Sequence, residues 1–227
     1  MEEALAAGIG LRGAAVSPTL EATSRGKALR EALEHGGVRI ESVSAEALAE
    51  LAGTDQPQGI VAIIEPKRWA LDHIDLGRGR PVLVLDGVQD PGNVGTMVRT
   101  ALGLGAAGVV ALKGTAELAN PKVVRGSMGA LFRLPAVAAD DEGFHAWAAA
   151  AGLPLWVAAM DGEAVHRVPL PAAGAVGLVI GNEGAGVRPA LAERAERRVA
   201  IPLAGPAESL NAAVAAAILL YEVTRGR

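Results

Sequence analysis

The chain has 227 residues, 51% of them hydrophobic and only 3% aromatic, and a net charge of −4 at pH 7. That is enough chain for one large or two small domains with cores of Ala, Val and Leu. With no cysteine it has no disulfide, no thiol nucleophile and no zinc site built on Cys ligands, and His35, His73, His145 and His166 lie too far apart for ligand spacing, so no metal is expected. No apolar run is long and charge-free enough to span a membrane. The acidic start Met1-Glu-Glu-Ala4 is wrong for a secretory or transit peptide, so a cytoplasmic location is expected. The acidic balance argues against non-specific coating of nucleic acid but leaves room for local basic clusters. These are Arg25, Lys27 and Arg30; Lys67, Arg68, Arg78 and Arg80; and Lys113, Lys122, Arg125 and Arg133.

Residues 1–65 read as a small α/β unit. Glu2 to Ala7 is helix-like and Leu11 to Val16 strand-like. Thr23 or Ser24 caps a helix through Leu33, stopped at His35-Gly-Gly37. Val38 to Val43 alternates as a strand, and Ser44 caps a helix over 45–51. Asp55 to Gly59 is a loop, and Ile60 to Ile64 a buried strand. Residues 66–80 break into Pro, Gly and alternating charges and read as a linker. Residues 81–227 then form a second domain. Val82 to Leu85 is a strand, with a polar loop from Asp86 to Gly92 and a helix from Asn93 to Leu104. Strand 107–112, helix 121–128 and strand 134–138 follow. Asp140 or Asp141 caps a helix through Ala150, and 155–160 and 176–180 are strands. A helix starts at Pro189 and Arg198 to Ile201 is the last strand. Ser209 caps the final helix, whose Leu210, Val214, Ala217, Ile218 and Tyr221 recur at helical spacing. Apolar strands separated by helices predict an α/β fold, its parallel sheet covered on both faces.

Three polar stretches leave the ends of such strands. Gly181-Asn-Glu-Gly-Ala-Gly186 sits where open α/β sheets bind ligands. Its Glu183 suits a positive centre or an amine better than a phosphate. In Asp86 to Arg99, Asn93 opens a helix and Arg99 follows six residues on. A helix rises ~1.5 Å per residue, so both can face one cleft. Arg with Asn suits a phosphodiester and its sugar. Ser209 and Asn211 at the mouth of the last helix are either an ordinary cap or the floor of a site. Gly103-Leu-Gly-Ala-Ala-Gly108 matches a dinucleotide fingerprint, but it closes a helix and leads into a strand, so it reads as a turn.

Taken together, Asn93 with Arg99, Ile180-Gly-Asn-Glu-Gly184, and Ile201-Pro-Leu203 with Ser209-Leu-Asn211 resemble the three motifs of the SpoU/TrmH family of the SPOUT superfamily. These are RNA ribose 2′-O-methyltransferases that use S-adenosylmethionine. The resemblance covers residues 81–225 and implies a sheet domain closed by a deep trefoil knot. It implies that Met160, Gly181, Asn182, Ile201, Leu203 and Leu210 bind the methyl donor. Arg99 would be the base or the phosphate-positioning group, with Asn93, Glu183, Ser209 and Asn211 completing the catalytic set. It also implies a homodimer, with the C-terminal helix at its interface. Residues 1–65 resemble the family's small RNA substrate-binding domain. Members usually carry a helix and a strand ahead of the position of Met1, so that domain is expected to be shortened. The implied substrate is rRNA, 23S rRNA first. A tRNA enzyme, an antibiotic-resistance rRNA methylase, a non-catalytic RNA-binding protein and an NAD- or ATP-using enzyme stay open as alternatives.

Overall fold

The computed structural model describes residues 1–53, 56–171, 174–206 and 208–225. They fall into two compact units, Met1–Lys67 and Arg68–Arg227. In the first, α1 (Glu2–Ala6), β1 (Gly10–Val16), α2 (Ser24–His35), β2 (Ile40–Ser42), α3 (Ala45–Ala52) and β3 (Ile60–Glu65) follow in order. The sheet order is β2-β1-β3, with β1 parallel to β2 and antiparallel to β3. The Thr23 hydroxyl accepts from Gly26 N at 3.0 Å and the Ser44 hydroxyl from Ala47 N at 3.2 Å, so both helices begin on the side-chain caps the sequence offers. Gly26 has no alternative, because a Cβ there would lie 1.7 Å from the carbonyl oxygen of Leu20. Of the expected loop over 55–59, Asp55 lies outside the described residues.

The second unit contains β4 (Val82–Asp86), α4 (Pro91–Gly103), β5 (Gly108–Ala111), α5 (Pro121–Gly126), β6 (Ala136–Ala138) and α6 (Asp141–Ala150). It continues with β7 (Leu155–Ala164), β8 (Gly177–Gly181), α7 (Pro189–Ala192), β9 (Arg197–Ala200) and α8 (Ala212–Thr224). The six strands pair in parallel, in the order β6-β5-β4-β8-β7-β9. Val82 to Leu85 are 0% exposed, which explains their unbroken apolar run. Leu83 and Leu85 pack into one core with Met97 and Val98 of α4 and Leu219 and Leu220 of α8. Val82 and Val84 face the opposite core, with Phe144 of α6 and Leu191 of α7.

Residues 68–80, part of the stretch read as a linker, belong to this second unit. Ile74 is 5% exposed, and Trp69, Leu71 and Leu76 pack against the same core. Their apolar residues are interspersed with charges in short 3-10 turns, Leu71–His73 and Gly77–Gly79, so no regular period marks them. The start of the last helix also differs from expectation. Asn211, not Ser209, is its N-cap, accepting from Ala213 N at 2.9 Å and Val214 N at 3.3 Å. Ala213, Ala216, Leu219, Leu220 and Val223 are its buried face. The stripe read as apolar from spacing, Val214, Ile218 and Tyr221 with Leu210 ahead of it, is the exposed one.

Candidate active site

The strand order places the site. From β4 the chain moves outward to β5 and β6, whereas β8 is followed by β9 on the other side. The neighbours β4 and β8 therefore meet at a switch point, where the loops leaving their C-terminal ends part and open a crevice. Asp86 and Gly181, the last residues of these strands, are register partners.

The loop after β8 closes on itself. Asn182 and Gly186 exchange backbone hydrogen bonds, each 3.0 Å, and the Asn182 side-chain oxygen accepts from Gly184 N at 3.0 Å and Ala185 N at 2.9 Å. Gly181 must be glycine, because a Cβ there would sit 2.1 Å from the carbonyl carbon of Gly186. The Asn182 amide donates to Gly87 O at 2.9 Å, fastening this loop to the one after β4. Thr115 holds the same turn from the β5 side, donating to Leu85 O at 2.9 Å and accepting from Gly87 N at 3.1 Å.

Glu183 projects from this loop and accepts from Gln89 N and Asp90 N, both at 3.3 Å, and from Asn93 Nδ2 at 3.0 Å. Burial pushes its pKa up. The bonds from Asn93, its own backbone N–H, Gln89 and Asp90 together outweigh that and hold the carboxyl below its ordinary value. Asn93 in turn accepts through Oδ1 from Asn211 Nδ2 at 3.1 Å. The polarity of this relay is forced at both ends. An ionised carboxylate only accepts and helix-start N–H groups only donate, so each intervening amide has one way to point. The three motifs thus meet in one directional chain, Glu183 to Asn93 to Asn211 to the start of α8.

The structure treats the other expected residues unequally. Arg99 stands six residues beyond Asn93 on α4, exposed like Gly92 and Thr96, and its guanidinium forms no hydrogen bond or ion pair among the described residues. Ser209 is exposed and its hydroxyl caps nothing. Gly181 is buried, and Asn182, Ile201 and Leu203 are half-buried. Met160 and Leu210 are 70% and 36% exposed, a large apolar cost left open to water. Nearby, Gly162 of β7 lies so close to β9 that a Cβ would sit 2.7 Å from the backbone of Arg198 and Val199. Asp86, Thr115 and Arg188 carry the support of the site and were not singled out from sequence. The one available signal was Asp86, a charge ending an otherwise apolar strand.

The comparisons with known proteins bear on this geometry. Residues 80–221 match the model of the SpoU rRNA Methylase family, and residues 1–70 match that of the RNA 2′-O ribose methyltransferase substrate-binding domain. The chain belongs to the SpoU rRNA methylase family. Among its relatives is the 23S rRNA (guanosine(2553)-2′-O)-methyltransferase RlmP of Bacillus subtilis (strain 168), 37% identical over 187 residues, covering 82% of this chain and 73% of the relative. The 23S rRNA (uridine(2479)-2′-O)-methyltransferase of Streptomyces viridochromogenes is 36% identical over 198 residues, 84% of this chain and 69% of the relative. An AdoMet-bound rRNA methyltransferase from Sinorhizobium meliloti superposes with a TM-score of 0.84 at 31% identity, covering 99% of this chain and 83% of that one. No helix among the described residues is long and apolar enough to cross a membrane, and no group of three or more His, Asp or Glu among them is placed to hold a metal.

Proposed function

We propose that this SpoU family member is an S-adenosylmethionine-dependent methyltransferase acting on a ribose 2′-hydroxyl of 23S rRNA, in the cytoplasm. The observation that carries the reading is the Glu183–Asn93–Asn211 relay at the β4/β8 switch point, with an unpaired Arg99 on the same helix. The RNA methyltransferase relatives supply the reaction class.

The residues present fit the methyl donor. Gly181 lets the strand end pack directly on the backbone of Gly186 and Val187 and so shapes a tight loop, while Met160, Ile201, Leu203 and Leu210 offer apolar surface for a base and a thioether. When bound, the donor would supply an electrophilic methyl group, carried on a sulfonium, to the ribose 2′-oxygen. What the chain itself must do is place the ribose and meet developing charge on its oxygen. Arg99 suits that task as a fixed cation on substrate phosphate and nascent alkoxide, since a guanidinium does not deprotonate in proteins. Asn93 and Asn211 hold the helix starts that orient it, and Glu183 locks Asn93. Ser209, exposed at the mouth, is free to face the RNA.

Two further features belong to this reading. After β9, α8 packs on β8 and α4, which supports the knotted topology expected of the family. The exposed Val214, Ile218 and Tyr221 of α8 supply a face for a second copy of the chain. Residues 1–67 serve as the RNA substrate-binding domain. Calorimetric titration with S-adenosylhomocysteine, NAD and ATP tests the donor: saturable binding of the first alone, near one per subunit, is expected. Selective binding of NAD or ATP would sink the methyltransferase reading. Tritium transfer from labelled donor onto 23S rRNA but not tRNA is the expected second result.

A further inference from the structure

A second polar network at the same sheet edge lies outside the relay. Asp86 ends β4 with 0% exposure. Its carboxylate accepts from the backbone N of Arg188 at 2.7 Å and from Arg188 Nε at 2.6 Å. The remaining edge of the same guanidinium is bidentate on Asp141, Nη1 to Oδ2 and Nη2 to Oδ1, each 2.7 Å. One planar fork thus satisfies two carboxylates, which a lysine cannot do. Arg188 lies in the segment leaving β8, Asp86 ends β4 and Asp141 begins α6 after β6, so three strand exits are tied at one point.

What the tie holds is the loop of Glu183. Residues 183–186 are exposed, so apolar packing does not fix them, and α7 has only four residues. Beyond the loop Val187 and Leu191 pack on the core, and polar anchors fix what precedes them. At one end Asn182 is bound to Gly87 O; at the other Arg188 is bound to Asp86. The loop is therefore pinned at both ends to two consecutive residues of the β4 exit. Asp141 completes the fork from outside. Its side chain is 44% exposed and lines an open cleft of about 550 Å³ with Glu142, His145, Leu191 and Arg194. Removing its charge leaves the bonds from Arg188 to the buried Asp86 in place but loosens the other edge of the guanidinium.

We propose that Arg188 and Asp141 are a positioning pair that sets the 182–186 loop for the methyl donor, acting through Asp86. The donor half of this statement rests on the function proposed above. Arg188→Ala strands Asp86 as a buried unpaired carboxylate and is expected to unfold the sheet edge, so Asp141→Asn is the deciding variant. It is expected to raise the Kd for S-adenosylhomocysteine and the KM for the donor about tenfold, the low end for a lost charge-assisted bond because the pair is half-exposed. The expected kcat and KM for RNA change less than twofold, and Asp141→Glu recovers most of the loss. Amide hydrogen exchange of residues 182–186 should quicken while β4 and β8 stay protected. Wild-type donor affinity with unchanged exchange in Asp141→Asn would overturn the proposal, as would a loss confined to kcat. Should the wild-type chain itself bind no S-adenosylhomocysteine, the donor reading falls, and the exchange measurement alone decides whether the pair sets the loop.

Discussion

At the residue scale, the relay makes a sharp demand on Asn93, which must donate to Glu183 and accept from Asn211. Asn93→Asp keeps size and shape but sets a second carboxylate against Glu183, so the donor is lost and like charges meet. Leaving such a group unsatisfied costs roughly 1–3 kcal/mol, so donor binding and single-turnover rate should both fall by about ten- to a hundredfold. Glu183→Gln tests the same link through pH. The folded pKa of Glu183 is depressed, so its contribution to stability is complete above the unfolded value and fades as pH falls through the folded one. Thermal unfolding from neutral pH to below about pH 4.3 should therefore show a shallower loss in the variant than in the wild type. Arg99→Lys should lose most turnover in a methyl-transfer assay while keeping S-adenosylhomocysteine binding, because lysine lacks the planar fork. Normal turnover would remove Arg99 from the reaction. Asn93, Glu183 and Asn211 were legible in the sequence because each stands in a short motif. Asp86 was signalled only as a charge ending an apolar strand, and Arg188 not at all: it is an ordinary charged residue until the fold brings it within 2.6 Å of a position 102 residues away.

At the element scale, the strands were the most legible part and the last helix the least. Unbroken runs such as Val82 to Leu85 can only be buried on both faces. The final helix is apolar nearly all round, so periodicity fits two faces equally, and the stripe of Val214, Ile218 and Tyr221 turned out to face outward. Ala213, Ala216, Leu219, Leu220 and Val223 face inward instead, with α8 packed on α4 and β8. Its cap was ambiguous for a similar reason, since Ser209 and Asn211 are both good capping types two residues apart. The difference is measurable. Asn211→Ala removes the acceptor for two helix N–H groups and should cost about 1 kcal/mol in urea unfolding, with a loss of donor affinity through Asn93. Ser209→Ala should leave stability within about 0.5 kcal/mol of wild type and change only activity on RNA. A stability loss for Ser209→Ala equal to that of Asn211→Ala would contradict the cap assignment.

At the scale of the whole molecule, the outward stripe of α8 has to be accounted for. Val214, Ile218 and Tyr221 are 48%, 36% and 55% exposed and lie one turn apart, with Leu210 at 36% ahead of them. Spacing of this kind makes a continuous ridge rather than scattered surface apolar groups. A ridge on one helix is self-complementary about a twofold axis, since the same residues of two chains interdigitate across it. The exposed Met160 of β7 is a second apolar group that a partner or the donor would cover. A stable pair needs more than about 1,000 Å² of buried surface, so the ridge has to be the centre of a larger contact. Two charges at its middle, Val214→Glu with Ile218→Glu, should then convert a dimer into a monomer in sedimentation velocity. The folded helix content should persist, because both positions face away from the core. Donor affinity in that monomer distinguishes two architectures: a loss means that the partner completes the pocket, and retention means that each chain binds the donor alone. A wild-type chain that sediments as a monomer at micromolar concentration would leave the ridge without its proposed occupant.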